Sequence, residues 1–202
     1  MVGTITPVVN RGNKVKQIFL TIAPHLIGYL IGAMALGLLC GICGNLLFGW
    51  WGAFNRVSMV FPLVGLFGLA MALGEINLIR LPRPQCRWQV PARWRSDSYP
   101  GLTTLIYGIV LGFGLLNRIT VNSFYVALLC TVLVGGPTWG MICLSLFGVG
   151  RILPILLISL MRQEAVFRLT PVIDSYKPVV HVVNSYVTGF LASMLLIKWL
   201  LT

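Results

Sequence analysis

The stretch YGIVLGFGLLNRITVNSFYVALL, residues 107–129, decides how this chain is folded. Most of its side chains are apolar, but Asn117, Arg118 and Thr120 stand near its centre. Either the chain turns back there in a polar loop between two membrane spans, or a single membrane helix is interrupted there. The choice between these alternatives sets the topology of the whole molecule.

The composition is typical of a membrane protein with several helical spans. Hydrophobic residues make up 57% of the 202 residues and charged residues only 9%, whereas a soluble domain carries about 25% charged residues. Several windows of about 20 residues contain almost no charge, and a transmembrane helix needs about that length. We therefore predict an all-α integral membrane protein, one polytopic domain over residues 1–202, with the lipid bilayer around it.

The excess of basic residues has an explanation within a membrane protein. Fifteen Lys and Arg against four Asp and Glu give a net charge of +11, and many of them lie in short segments between the apolar stretches. Cytoplasmic loops of membrane proteins carry this excess. The basic residues are not interleaved with aromatic ones as in proteins that bind single-stranded nucleic acid, so we expect no nucleic-acid partner.

Five apolar segments define the predicted helices, at about residues 18–48, 57–79, 101–134, 137–161 and 179–201. Residues 80–100 hold five arginines and four prolines, which predicts an extended basic loop on the cytoplasmic side. The N-terminal residues have no short apolar core with a small-residue cleavage site, so we expect no cleaved signal peptide.

Positive charge decides between the two topologies. If residues 101–134 cross the membrane once, the loop with Arg162, Arg168 and Lys177 faces the cytoplasm, together with the N-terminus and the loop 80–100. A turn at residues 117–120 would place that loop outside, against the positive-inside rule. We therefore predict about five crossings of the bacterial plasma membrane, with the third helix interrupted near 117–120, the N-terminus cytoplasmic and the C-terminus outside.

Glycine and proline patterns in two segments resemble a known family. Gly108, Gly112 and Gly114 precede the interruption, and residues 147–154 read FGVGRILP. This pattern resembles the second half of the DsbD/CcdA transmembrane family, and TPVID at 170–174 with VTG at 187–189 resembles the family's final helix. The family moves reducing equivalents across membranes for cytochrome c maturation, so the resemblance implies a fold of that type and a related thiol chemistry.

Two departures from the family pattern bear on that chemistry. The family's first helix, with its redox cysteine, has no counterpart here. The family also places a Pro-Cys pair in its broken helix, and this chain has Leu116, Asn117 and Arg118 near that point. The resemblance therefore implies a shortened fold of this type that lacks the family's redox cysteines.

Cysteines offer a different redox pair. Cys40 and Cys43 form a C-x-x-C, whose two sulfurs share one face of a helix, a spacing that a redox dithiol could use. With the predicted topology, Cys130 and Cys143 lie at a similar depth near the outer side, where disulfides persist. The alternative is that these residues pack as small apolar side chains.

Charged residues within apolar segments are a second set of candidates. A charge in the middle of a membrane helix costs about 2.5–3.5 kcal/mol on insertion scales, so it should face the protein interior and have a partner. The alternatives are an ion or substrate site, a structural pair such as Glu75 with Arg151, or a contact with another subunit. The residues concerned are Arg118, Asn117, Arg151 and Glu75.

Two histidines and four glycines complete the candidates. His25 and His181 lie in apolar helices and could bind a haem or a chlorophyll-type pigment through a ring nitrogen, or could simply pack with a hydrogen bond. We assign no cofactor, and no zinc-ligand spacing predicts a metal. Small residues spaced by four predict close helix packing, and they are Gly28, Gly32, Gly37 and Gly41.

Three functions fit these observations. The first is a membrane subunit or scaffold that binds other membrane subunits of a larger complex and catalyses no reaction itself. The second is a thiol-disulfide electron carrier that uses Cys40 and Cys43, and the third is a small solute exporter with a site at the helix break. The missing family cysteines favour the first function. The cysteines near the outer side leave the second open, and the excess of arginine over carboxylates does not suit a cation transporter.

Overall fold

The computed structural model describes residues 22–50, 53–81, 100–114, 121–160, 172 and 175–201. These residues are helical and contain no strand, so the prediction of an all-α fold is confirmed for this part of the chain. The six helices are α1 (Ala23–Phe48), α2 (Ala53–Glu75), α3 (Pro100–Gly112), α4 (Ser123–Val134), α5 (Pro137–Leu160) and α6 (Lys177–Leu200).

Three helical stretches are long and apolar enough to cross a membrane. They are Ala23–Phe48, Ser58–Glu75 and Lys177–Leu200. Large apolar side chains such as Leu66 and Phe190 are exposed on them, as expected of surfaces that face lipid. The length and composition of the described helices thus support three crossings, and the number of five stays a prediction.

The predicted interruption of the third segment lies between two separate helices. α3 ends at Gly112 and α4 begins at Ser123. Asn117 and Arg118 lie outside the described residues, as does most of the predicted basic loop, at residues 82–99.

The second helix ends at Glu75, four residues before the predicted end at 79, because a helix-terminating turn follows it. Asn77 has a positive φ of 60°, a conformation that asparagine tolerates better than most residues. The N–H of Leu78 donates to the carbonyl of Leu73 at 3.0 Å, and the N–H of Asn77 donates to that of Gly74 at 3.3 Å. This pair of bonds is a Schellman motif, and it leaves Glu75 in the last turn of α2.

The chain divides into two compact units. The first contains residues 1–35, 85–118 and 145–175, and the second contains residues 36–84, 119–144 and 176–202. Helices α1 and α5 are each divided between the two units.

In the first unit, α3 packs along the first half of α1 and runs parallel to it. A Cβ added to Gly28 would lie 2.1 Å from the carbonyl oxygen of Leu105, and one added to Gly32 would lie 2.2 Å from that of Ile109. From the first contact to the second, the residue numbers rise by four on α1 and by four on α3, so the two helices are parallel. The buried Tyr29 packs with Leu111 and Ile152 and forms the core of this unit; the latter residue belongs to α5.

In the second unit, the second half of α1 packs against the start of α5 in the opposite direction. A Cβ on Gly37 would lie 2.2 Å from the carbonyl oxygen of Gly140, and one on Gly41 would lie 2.4 Å from that of Gly136. The residue number rises along α1 while it falls towards the start of α5, so these segments are antiparallel. The four glycines predicted to mark close helix packing thus lie at backbone-to-backbone contacts.

Helix α2 runs antiparallel to both α4 and α6 in this unit. Towards α6, a Cβ on Gly65 would approach the carbonyl oxygen of Ala192 at 3.1 Å, and Ser185 Oγ donates to the carbonyl of Ala72 at 2.7 Å. Towards α4, a Cβ on Gly68 would lie 3.8 Å from Val126, and Asn122 contacts Met71 further along. Consequently α4 and α6 point in the same direction.

Candidate functional site

A buried carboxylate joins three helices in the second unit. Glu75, in the last turn of α2, is only 5% exposed. Its Oε1 contacts Nδ1 of His181 in the second turn of α6. Its Oε2 accepts a hydrogen bond from the backbone N–H of Asn122 at 2.8 Å, immediately before α4. We call Glu75, Asn122 and His181 the Glu75 cluster.

The beginning of α4 depends on this carboxylate. Asn122 occupies the N-cap position, but its side chain makes no capping hydrogen bond. Its Nδ2 instead donates to the carbonyl of Met71 at 2.9 Å. The first N–H groups of a helix have no partner within the helix and need one from elsewhere. Glu75 supplies an acceptor from another helix, and thereby ties the end of α2 to the start of α4.

The electrostatics of the two helix ends oppose each other at Glu75. A carboxylate at the C-terminal end of its own helix meets the negative end of the helix dipole, which disfavours the charge. The N-terminal end of α4, which donates to the same carboxylate, favours it. His181 adds a donor that is a cation when protonated. The charge of Glu75 is therefore stabilised chiefly by contacts from outside its own helix.

A second polar group lies in the first unit. The guanidinium of Arg151 lies close to the hydroxyl of Tyr29, a residue that is 5% exposed. Glu75 contacts His181 and Asn122 within the second unit, and Arg151 lies near Tyr29 within the first. The structural pair of Glu75 with Arg151 stays a prediction from the sequence.

His25 lies in the same unit and has no comparable partner. Its ring stacks on that of Tyr107 with centroids 5.6 Å apart and planes inclined by 25°. The backbone of Thr104 lies near the ring. Both ring nitrogens are buried, and neither has a hydrogen-bond partner among the described residues. The two histidines thus differ, since His181 is engaged by a carboxylate and half-exposed while His25 is enclosed.

The cysteines of the described residues are free thiols, and all four lie in the second unit. Cys40 is buried, Cys130 is half-buried, and Cys43 and Cys143 are exposed. Cys40 and Cys43 lie on the same helix, α1. No group of three or more His, Cys, Asp and Glu side chains within the described residues could hold a metal ion.

Sequence reasoning singled out Glu75 and His181 but missed what connects them. The two residues are 106 positions apart, and Asn122 was not among the candidates, although it follows the polar break. One signal was available: an acid and a histidine stand near the ends of two apolar segments, and an asparagine follows the polar break in a third.

Comparison with known proteins gives one consistent result. The chain is 33% identical over 139 residues to the methylamine utilization protein MauF of Methylophilus methylotrophus, a match that covers 67% of this chain and 46% of that protein. It is 33% identical over 135 residues to MauF of Paracoccus denitrificans, with 67% and 47% covered. For MauF of Paracoccus versutus the values are 31% over 137 residues, with 67% and 48% covered. No family model and no solved structure matches the chain.

These relatives correct the family resemblance. The identification with the DsbD/CcdA family is wrong, because the matching proteins are named MauF and no family model supports it. The glycines that suggested it have a physical explanation: Gly108, Gly112 and Gly148 lie where a Cβ would come within 3.0 Å of a neighbouring helix. Such glycines recur wherever membrane helices pack closely. The chain spans about half the length of the curated relatives it matches, and it is to MauF that its sequence is similar.

Proposed function

We propose that this chain is a membrane-embedded accessory protein of methylamine utilization, a subunit or scaffold that binds other proteins and catalyses no reaction itself. The observation that carries the proposal is the similarity to MauF proteins of several methylamine-utilizing systems over two thirds of the chain. The apolar helices support a place in the membrane. The names of the relatives give no support to the thiol-disulfide carrier.

The arrangement of polar groups supports a scaffold rather than a catalyst. Glu75 and Asn122 are buried, and their hydrogen bonds connect helix ends to one another. Ser185 likewise uses its hydroxyl to bind the backbone of α2. These side chains stabilise the packing of the second unit, which is what a protein that presents surfaces to partners requires.

We further propose five crossings, with α3 and α4 as the two halves of one. If α1 runs from the cytoplasm outward, α2 returns, because only residues 49–52 separate them. Within the second unit α4 and α6 are antiparallel to α2, so both run outward on this assumption. The interrupted crossing itself rests on the charge distribution, which favours a cytoplasmic N-terminus in a bacterial cell.

Deletion of the gene should abolish or strongly slow growth on methylamine as the sole carbon source, because an accessory protein is needed for its system to work. Growth of the same strain on succinate should not change. A plasmid copy of the wild-type chain should restore growth on methylamine. The measurement is the growth rate of the deletion strain on each carbon source.

The same strain distinguishes an accessory role from a catalytic one. A tagged copy purified in mild detergent from methylamine-grown cells should bring down specific proteins that are absent from succinate-grown cells. Normal growth of the deletion strain on methylamine would refute the role in methylamine utilization. Restored growth by a chain that purifies alone, and that converts methylamine by itself, would refute the accessory role.

A further inference from the structure

We propose that Glu75 and His181 form a proton-binding site, in which His181 takes up a proton and Glu75 holds it. The geometry places a ring nitrogen of His181 directly against a carboxylate oxygen of Glu75. The two side chains differ in exposure, at 40% for His181 and 1% for Glu75. The half-exposed imidazole of His181 therefore contacts the buried carboxylate of Glu75.

The contacts of Glu75 suit both of its protonation states. When Glu75 is ionised, Oε2 accepts from the N–H of Asn122 and Oε1 accepts from Nδ1–H of His181. When Glu75 is protonated on Oε1, that hydroxyl can donate to an unprotonated Nδ1, while Oε2 still accepts from Asn122. No hydrogen bond of the cluster therefore has to be lost when the proton arrives.

The transfer balances in protons and charge. Nδ1 faces Glu75, so Nε2 is the ring nitrogen left to take up a proton. A proton binds at Nε2 of the neutral ring, and the proton on Nδ1 passes to Oε1 of Glu75. The ring ends neutral with its proton on Nε2, Glu75 becomes a carboxylic acid, and the pair gains one proton.

Two helix ends act in opposite directions on the charge of Glu75. The C-terminal end of α2 opposes ionisation and the N-terminal end of α4 favours it. Asn122 and Ser185 hold the backbone of α2 through neutral groups at 2.9 and 2.7 Å, so the packing does not depend on the proton. The other titratable or charged side chains of the described residues near this end of α2, α4 and α6 are Arg80, Tyr125, Tyr176 and Lys177.

Infrared spectroscopy can observe Glu75 alone. The chain has four acidic side chains, of which only Glu75 and Glu164 are glutamates. In Glu164→Gln protein labelled with carbon-13 at the glutamate carboxyl, Glu75 is the only labelled side chain. Acidification from about pH 8 to about pH 5, the range in which histidine titrates, should convert its carboxylate band into a carboxylic acid band. Glu75→Gln in the unmodified chain should lose the same band.

Nitrogen-15 NMR of the two histidines gives the second readout. With the transfer, His181 changes from the Nδ1–H to the Nε2–H tautomer over the same pH range as the infrared change, while buried His25 serves as the internal control. If Glu75 remains ionised and His181 becomes an imidazolium, the pair is an ordinary ion pair and the proposal is wrong. It is equally wrong if neither group changes in this range.

Discussion

Replacing Glu75 with leucine should lower the free energy of unfolding by about 1–3 kcal/mol, the usual cost of leaving a buried donor without an acceptor. The N–H of Asn122, in a residue only 2% exposed, would lose its acceptor. The start of α4 would lose the cap that its own side chain does not provide. His181 would lose its partner on α2. The measurement is denaturant or thermal unfolding of the purified chain in detergent micelles.

Glu75→Gln is the matched control for that substitution. Its side-chain carbonyl can still accept from the N–H of Asn122, and its amide can donate to His181. We therefore expect it to retain most of the stability that leucine loses. If the leucine variant is as stable as the wild type, the Glu75 cluster does not hold the three helices together. If both variants lose stability equally, the charge matters rather than the hydrogen bonds.

Gly140→Ala should be the most damaging substitution of a glycine in α5. The added Cβ would lie 2.1 Å from the carbonyl oxygen of Gly37 and 3.1 Å from Cγ2 of Thr131. The carbonyl oxygen of Gly37 is a backbone atom that cannot rotate away, so α1 and α5 would have to separate. Overpacking of this kind typically costs about 1–3 kcal/mol, and we expect the upper end. The thermal midpoint in detergent should fall accordingly.

Gly150→Ala tests the same change in the same helix, ten positions further on. A Cβ there would meet no atom within 4 Å, and alanine within a helix is more favourable than glycine by about 0.5–1 kcal/mol. We expect unchanged or slightly raised stability, and full function in growth on methylamine. Equal losses from both substitutions would mean that the damage comes from something other than the contact with Gly37.

The sequence predicted the helices better than their contacts. Long apolar runs with little charge identify membrane helices, since the bilayer requires them. The end of α2 was misplaced because the apolar residues continue past Glu75 to Ile79, whereas the chain turns at Asn77. Hydrophobicity does not register that turn, which depends on one residue in a left-handed conformation.

The contacts within the Glu75 cluster could not be predicted from the sequence either. The cost of a buried charge predicts that Glu75 has a partner, but not which one. The choice between Arg151 and His181 depends on how helices far apart in the chain are packed. Asn122 acts through its backbone N–H and its amide together, a role that its residue type alone does not indicate.

The central proposal is that α3 and α4 are the two halves of one membrane crossing, with Glu75 capping the start of α4. The most direct measurement labels Gln163→Cys with an impermeant maleimide from outside intact cells, in a chain whose five native cysteines are replaced by serine. Gly52→Cys serves as the outer control and Gln89→Cys as the inner control. With one interrupted crossing, Gln163→Cys stays unlabelled until the membrane is permeabilised. Labelling of Gln163→Cys in intact cells, with Gln89→Cys still protected, would show that the chain turns back between α3 and α4 and would contradict the account.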